Sequence, residues 1–231
     1  MAIIKTMVIG DVHGSKWWKK HIERIDEFDR VVIMGDYFDD WKNDWVEANQ
    51  IDNLQEIIDW KKKYPNKITT LIGNHCFGYI ANERMSGQQE YKFFDIKEFL
   101  EKNIDEFVVG CKIGEWVFSH AGISKYWMKK YGFTTLEEVN EAFAMRNYEP
   151  FKFYRGSADS YGNDVLNSPL WIRPEALTFS AFFNKQVVGH SASDRMETNH
   201  LVFKDENGKQ QEIYIVDKND HSAYMEMDIE V

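Results

Sequence analysis

At 231 residues with 43% apolar side chains, the chain can bury a substantial core, and eight tryptophans and sixteen phenylalanines supply large pieces of it. A formal net charge of -10 argues against broad electrostatic affinity for nucleic acid or an anionic membrane surface. Two cysteines, Cys76 and Cys111, set no disulfide framework and fit a reducing cytosol, and no apolar run approaches the roughly 20 residues of a membrane span.

The first expected element is a strand over Ile3 to Ile9. It lacks a basic n-region and a small-residue cleavage site, so it does not read as a signal peptide. Lys16, Lys19 and Lys20, and the run Lys61 to Lys63, read as solvated helix faces. A strand follows over Val31 to Met34. Trp45, Ala48, Ile51, Leu54 and Ile58 then repeat at helical spacing, before a strand over Ile68 to Ile72. Tyr91, Phe94, Ile96, Phe99 and Leu100 give a looser helical pattern, and Trp116 to Phe118 a short strand. Thr134 and Thr135 each precede a glutamate by three, at Glu137 and Glu138, which is a capping-box start for a helix through Ala144. Tyr148 to Asn167 is aromatic and polar without period, as in a long loop that carries part of a site. Strands over Val187 to Val188, Leu201 to Phe203 and Ile213 to Val216 complete the chain, the last two joined by a hairpin turn over Lys204 to Gln210. Several runs are continuously apolar and β-branched, as in strands covered on both faces. The expectation is one α/β domain over residues 1–231.

Chemistry gathers where strands end. Gly10-Asp11-Val12-His13-Gly14 follows the first, Gly35-Asp36-Tyr37-Phe38-Asp39 the second and Gly73-Asn74-His75 the third; Ser119-His120-Ala121-Gly122 and Gly189-His190-Ser191 follow two later ones. Loops beyond the carboxyl ends of strands in an open α/β sheet collect on one edge, and glycine lets the backbone approach a small ion there. Carboxylate, amide and imidazole donors suit manganese, iron, zinc or similar divalent ions, and six of them suit two ions better than one tetrahedral site. Any one of these residues has a plain structural reading as a helix cap or a satisfied core histidine; five in register do not. His21, His200 and His221 lie outside the pattern and read as structural.

These motifs, in this order, resemble those of the calcineurin-like metallophosphoesterases, and most of all the phosphoprotein phosphatase branch with its small bacterial and bacteriophage members. The resemblance spans Asp11 to His190. It implies a two-sheet α/β sandwich with helices outside, and two divalent ions, manganese ahead of iron, zinc, nickel or magnesium. It assigns Asp11, His13 and Asp36 to one ion, and Asp36 as a bridge with Asn74, His120 and His190 to the other. The implied reaction is phosphomonoester hydrolysis, with in-line attack on phosphorus by a metal-activated hydroxide. His75 is then the general acid toward the leaving group, and Asp39 orients it. The expected substrate is a phosphorylated protein or a small phosphoester, with no membrane and no stable nucleic-acid partner expected, in a bacterial or phage-infected cytoplasm.

The chain also departs from the family's pattern. Asp40 and Trp41 stand where the phosphatase branch usually has arginine and glycine, which removes a phosphate-binding cation and leaves phosphodiester hydrolysis as an alternative. Cys76 stands where glutamate or aspartate is common, and reads as a packing residue ahead of a redox one. Leu170-Trp171-Ile172-Arg173 resembles the Trp-x-Arg segment of the phage and bacterial members, which makes Arg173 the candidate phosphate contact and Arg155 a second. Tyr37 reads equally as a cleft or a core residue. A third possibility, a binding protein that keeps the fold without catalysis, sits poorly with an intact His75, Asp39 and six candidate ligands.

Overall fold

Side-chain alternation along the strands decides the layers. A computed structural model gives the structure and describes residues 1–39, 50–156, 162–192 and 199–231. Its strands are β1 (Ile3–Ile9), β2 (Arg30–Ile33), β3 (Ile68–Leu71), β4 (Phe107–Val108), β5 (Gly110–Ile113), β6 (Trp116–Ser119), β7 (Lys185–Val188), β8 (His200–Lys204), β9 (Gln210–Ile215) and β10 (Tyr224–Glu230). The helices are α1 (Lys19–Ile22), α2 (Gln50–Lys63), α3 (Asn74–Ala81), α4 (Phe93–Lys102), α5 (Lys125–Tyr131), α6 (Leu136–Ala144) and α7 (Pro174–Thr178).

Two five-stranded mixed sheets result, in the orders β10-β1-β2-β3-β4 and β5-β6-β7-β9-β8. In the first, β1 to β4 run parallel and β10 adds antiparallel to β1. In the second, β6, β7 and β9 run parallel, with β5 and β8 antiparallel at the edges. Met7, Ile9, Val31 and Ile33 point to one face and pack with Leu54, Ile58, Phe77 and Leu100 of the helices. Their neighbours Val8, Val32 and Met34 point to the other, against Phe118 and Val187 of the second sheet. Val188, Ile213 and Ile215 cover that sheet's outer side with Ala176 and Leu177 of α7. This is the expected two-sheet sandwich with flanking helices, and it needs β1, β2 and β7 apolar on both faces.

The hairpin turn stands between β8 and β9, where Asp205 Oδ1 accepts from the Asn207 and Lys209 amides at 2.9 and 2.8 Å. The capping box forms at Thr135 and Glu138. Trp45, Ala48, Asp40 and Trp41 lie outside the described residues, as does part of the Tyr148 to Asn167 stretch; α2 is described from Gln50. In the α4 region Ile96 and Leu100 face the core while Tyr91 and Phe94 are exposed. Strands β4, β5 and β10 carry no clear sequence signal: two are very short, and β10 alternates charged residues on a largely exposed edge.

Candidate metal centre

Parallel strands deliver their carboxyl ends to one edge of each sheet, and the loops beyond them interlock. The loops after β1 and β2 stay hydrogen-bonded, with Val12 N to Gly35 O at 3.2 Å and Gly14 N to Tyr37 O at 2.9 Å. Gly189 N donates to His120 O at 2.7 Å, joining the loops after β6 and β7. His13, Asp36, Asp39 and His190 all adopt positive φ, between 44° and 70°. Each such conformation costs a non-glycine residue on the order of 1–3 kcal/mol, so the surrounding bonds must hold it. Glycine is required where backbone meets carboxylate: a Cβ at Gly73 would run into the Asp36 carboxylate, and one at Gly189 into Asp11.

The structure brings all six candidate ligands together. Asp36 Oδ2 lies 3.8 Å from His13 Nε2 and 3.3 Å from His120 Nε2, between the two imidazoles. Its Oδ1 accepts from the His75 amide at 2.8 Å. Two groups of side chains are close enough to hold an ion each, Asp11 with His13 and Asp36, and Asp36 with His120 and His190. Asn74 opens α3, and its Oδ1 lies 2.8 Å from His120 Nε2.

Each histidine has one ring nitrogen facing a backbone carbonyl. His13 Nδ1 donates to Asp39 O at 2.7 Å, His120 Nδ1 to Met34 O at 2.9 Å and His190 Nε2 to Trp171 O at 3.2 Å. A carbonyl only accepts, so those nitrogens carry protons, and in the neutral rings of His13 and His190 the opposite nitrogens keep lone pairs. His120 Nε2 faces the Asn74 and Asp36 oxygens, which only accept, so a proton or a metal ion belongs between them. Asp11 Oδ1 is buried and accepts no hydrogen bond among the described residues. The donor set therefore fits divalent ions.

Charge agrees with this. Burial, then the charges of Asp217 and Asp36, push the Asp11 carboxyl well above its ordinary range. Burial opposes ionisation of Asp36 too, but the imidazoles of His120 and His75 outweigh it and hold Asp36 ionised. Burial pulls His13 down to about 3, and burial with the Arg173 charge pulls His190 well below the ordinary imidazole value, so both are neutral donors.

His75 sits beside the cluster on α3, its ring 5.1 Å from that of His13. Its Nδ1 donates to Asp39 Oδ2 at 3.0 Å, and Tyr79 OH donates to Asp39 Oδ1 at 2.5 Å. Arg173 precedes α7, and its guanidinium donates to His190 O at 2.7 Å and to Ser191 Oγ at 3.1 Å, which puts it at the cluster. Arg155 is exposed, and the carboxylate it influences is Glu83. Tyr37 is a core residue: it is fully buried and its hydroxyl donates to Leu71 O at 3.0 Å. Cys76 packs as expected, accepting from Tyr37 N, with a thiol that burial pushes far up.

Two site residues escape the strand-end pattern. Asp217 follows β9, is buried and acts electrostatically on Asp11; burial raises it to about 7, with Asp36 adding to the rise and His120 and Arg173 opposing it. Its signal is an apolar strand ending in Val216-Asp217, without the glycine that marks the others. His221, read from sequence as structural, meets the cluster: its ring lies 4.5 Å from that of His13, and its φ is 56°. His21 and His200 are structural, stacked on Tyr224 and Tyr214.

The chain belongs to the calcineurin-like phosphoesterase family, whose pattern it matches over residues 4–192. Among solved structures it is similar to a cold-active protein tyrosine phosphatase of a psychrophilic Shewanella species, with 18% identity over 93% of this chain and 71% of that one and a TM-score of 0.56. A point mutant of a cold-active protein tyrosine phosphatase gives 16% identity, 97% and 75% coverage and a TM-score of 0.59. A protein serine/threonine phosphatase from Saccharomyces cerevisiae gives 15% identity, 96% and 72% coverage and a TM-score of 0.53. No curated protein matches the chain. At these identities the likeness is one of fold.

Proposed function

We propose that this phosphoesterase is a phosphomonoesterase of the protein phosphatase kind, working with two divalent ions, manganese first. The observation that carries the reading is Asp36 Oδ2 set between His13 and His120, each with its other ring nitrogen tied to a carbonyl. Asp11, His13 and Asp36 would hold one ion; Asp36, Asn74, His120 and His190 would hold the other. Bound there, two such ions supply Lewis-acid polarisation of a phosphoryl oxygen and acidify a water to near-neutral pKa. The chain's own residues do the rest. Arg173, at the rim of the cluster, binds the phosphoryl oxygens, with Arg155 as a second candidate cation. His75, held through Nδ1 by Asp39, donates the proton of its other nitrogen to the leaving oxygen as the P–O bond breaks. The phosphatase names of the similar folds support a phosphoprotein or small phosphate monoester as substrate. No helix among the described residues is long and apolar enough to cross a membrane, and we place the enzyme in the cytoplasm.

A second reading, phosphodiester hydrolysis, has one specific observation in its favour: Asp40 puts a carboxylate where the phosphatase branch usually has an arginine. Turnover of p-nitrophenyl phosphate and bis-p-nitrophenyl phosphate by metal-stripped protein, with and without added manganese, separates the two. Manganese-dependent preference for the monoester is the expected result. Preference for the diester replaces the first reading with the second, and turnover of neither by protein with two bound ions removes both for simple esters.

A further inference from the structure

Asp39 is held at every polar group. Its Oδ2 accepts from His75 Nδ1, its carbonyl accepts from His13 Nδ1 at 2.7 Å, and its amide donates to Gln50 Oε1 at 3.1 Å. The remaining oxygen, Oδ1, accepts from Tyr79 OH at 2.5 Å. Tyr79 is fully buried, lies one turn after His75 on α3, and packs its ring on Phe38 and Phe93 at 5.9 and 5.3 Å. Its hydroxyl in turn accepts from the Gln89 amide at 3.0 Å. Tyr37 offers the contrast, since its hydroxyl ends on a strand carbonyl and serves the core.

We propose that Tyr79 is a positioning residue: its phenol locks the Asp39 carboxylate so that Asp39 in turn fixes the ring of His75 for proton donation. The second clause rests on the phosphoesterase reading; the lock does not. Without the phenol, Oδ1 has lost a short donor in a fully buried site, and a carboxylate there must turn to find another. The Asp39–His75 bond then loosens. In the reaction the proton leaves His75 on the side away from Asp39 and bonds to the ester oxygen as that oxygen takes the P–O electron pair. The Nδ1 proton stays on the ring throughout. Tyr79 therefore matters for leaving groups that need a proton and little for those that leave unaided.

The test compares wild type with Tyr79→Phe on p-nitrophenyl phosphate and on an alkyl phosphate, with metal content measured in both. The expected result is a loss of roughly 10- to 100-fold in kcat on the alkyl ester, within the range of general acid catalysis, against less than about threefold on the nitrophenyl ester. Metal content stays the same. An independent readout is the proton NMR signal of His75 Nδ1–H in zinc-loaded protein, assigned by its loss in Asp39→Asn. It broadens by exchange in Tyr79→Phe and returns when p-aminophenylalanine, which keeps a donor, occupies the position. Equal losses on both esters, or an unchanged NMR signal, overturn the proposal. If wild type hydrolyses neither ester but the signal still responds to Tyr79→Phe, the lock stands and the phosphoesterase reading falls.

Discussion

Asp39 governs His75 through charge as well as position. Burial disfavours the imidazolium of His75, but the charge of Asp36, and the hydrogen bond and charge of Asp39, outweigh it and raise its pKa. A general acid works while protonated, so a raised pKa extends activity toward alkaline pH. Asp39→Asn removes one of the raising charges. The basic limb of the kcat–pH profile on an alkyl phosphate is then expected to move to lower pH, with about a 10²-fold loss at neutral pH and little loss of bound metal. An unmoved limb would detach Asp39 from the acid. Arg173 has another task. It stands at the cluster and braces the His190 carbonyl, so Arg173→Ala is expected to raise KM for monoesters about tenfold, the value of one charge-assisted contact, with a smaller change in kcat. A pure kcat effect would instead make Arg173 a support for His190.

At the scale of elements, the site depends on how strands end. A side chain at Gly73 has no room, because the third loop presses on the Asp36 carboxylate. Gly73→Ala is expected to destabilise the fold by about 1–3 kcal/mol, as overpacking does, and to lower metal stoichiometry by displacing Asp36. Thermal melts and metal analysis read both, and an alanine variant with two bound ions and an unaltered melt would show that the loop can yield. That same geometry made much of the site legible in the sequence. Glycine before Asp, Asn or His leaves room where the loops press together, on a carboxylate at Gly73 and Gly189 and on backbone at Gly10 and Gly35, and four of the five strand ends carry that mark, with Ser119 in the glycine's place at the other. Asp217 lacks it, since Val216 stands where most of the other ends have glycine, and the residue reads like any charged loop start. His221 lies four residues further on, in a turn where its amide donates to Lys218 O, and nothing local reports its long-range contact with His13. Tyr79 is hidden for a different reason: an aromatic on an apolar helix reads as core, which its ring is, while its hydroxyl is not. The two-sheet layering was readable from apolar runs, but β10 was not, because an edge strand with one solvated face spreads its signal among charged residues.

Across the whole molecule, the centre joins two sheets. Asp11, Asp36 and Asn74 come from loops of the β1–β2–β3 sheet, and His120 and His190 from loops of the β6–β7 sheet. An ion held by Asp36, Asn74, His120 and His190 therefore ties one layer to the other, and its removal should be felt by the fold. At free ion about 100 times Kd, one site adds about 2.7 kcal/mol, which for a chain of this size is roughly 5–11 °C in Tm. The gain should depend on pH in a definite direction. His13 and His190 are held neutral by burial, so they release no proton when an ion binds. Asp11 is raised by burial and by Asp217 and Asp36, and Asp217 is raised by burial to about 7. Below those values the carboxyls keep protons, which a cation must displace or face without their charge. Ion affinity therefore rises with pH through about 7, where Asp217 loses its proton, and the difference in Tm between loaded and chelated protein widens from about pH 5 to about pH 8. Taking the difference cancels the titration of groups remote from the site, whose effect is common to both forms. Calorimetric titration with manganese in two buffers of unlike ionisation enthalpy counts the protons directly: more are released per protein at about pH 5 than at about pH 8. Release no greater at about pH 5 than at about pH 8 would mean that the carboxyls are already ionised at the lower pH, and would overturn the pH dependence argued from them.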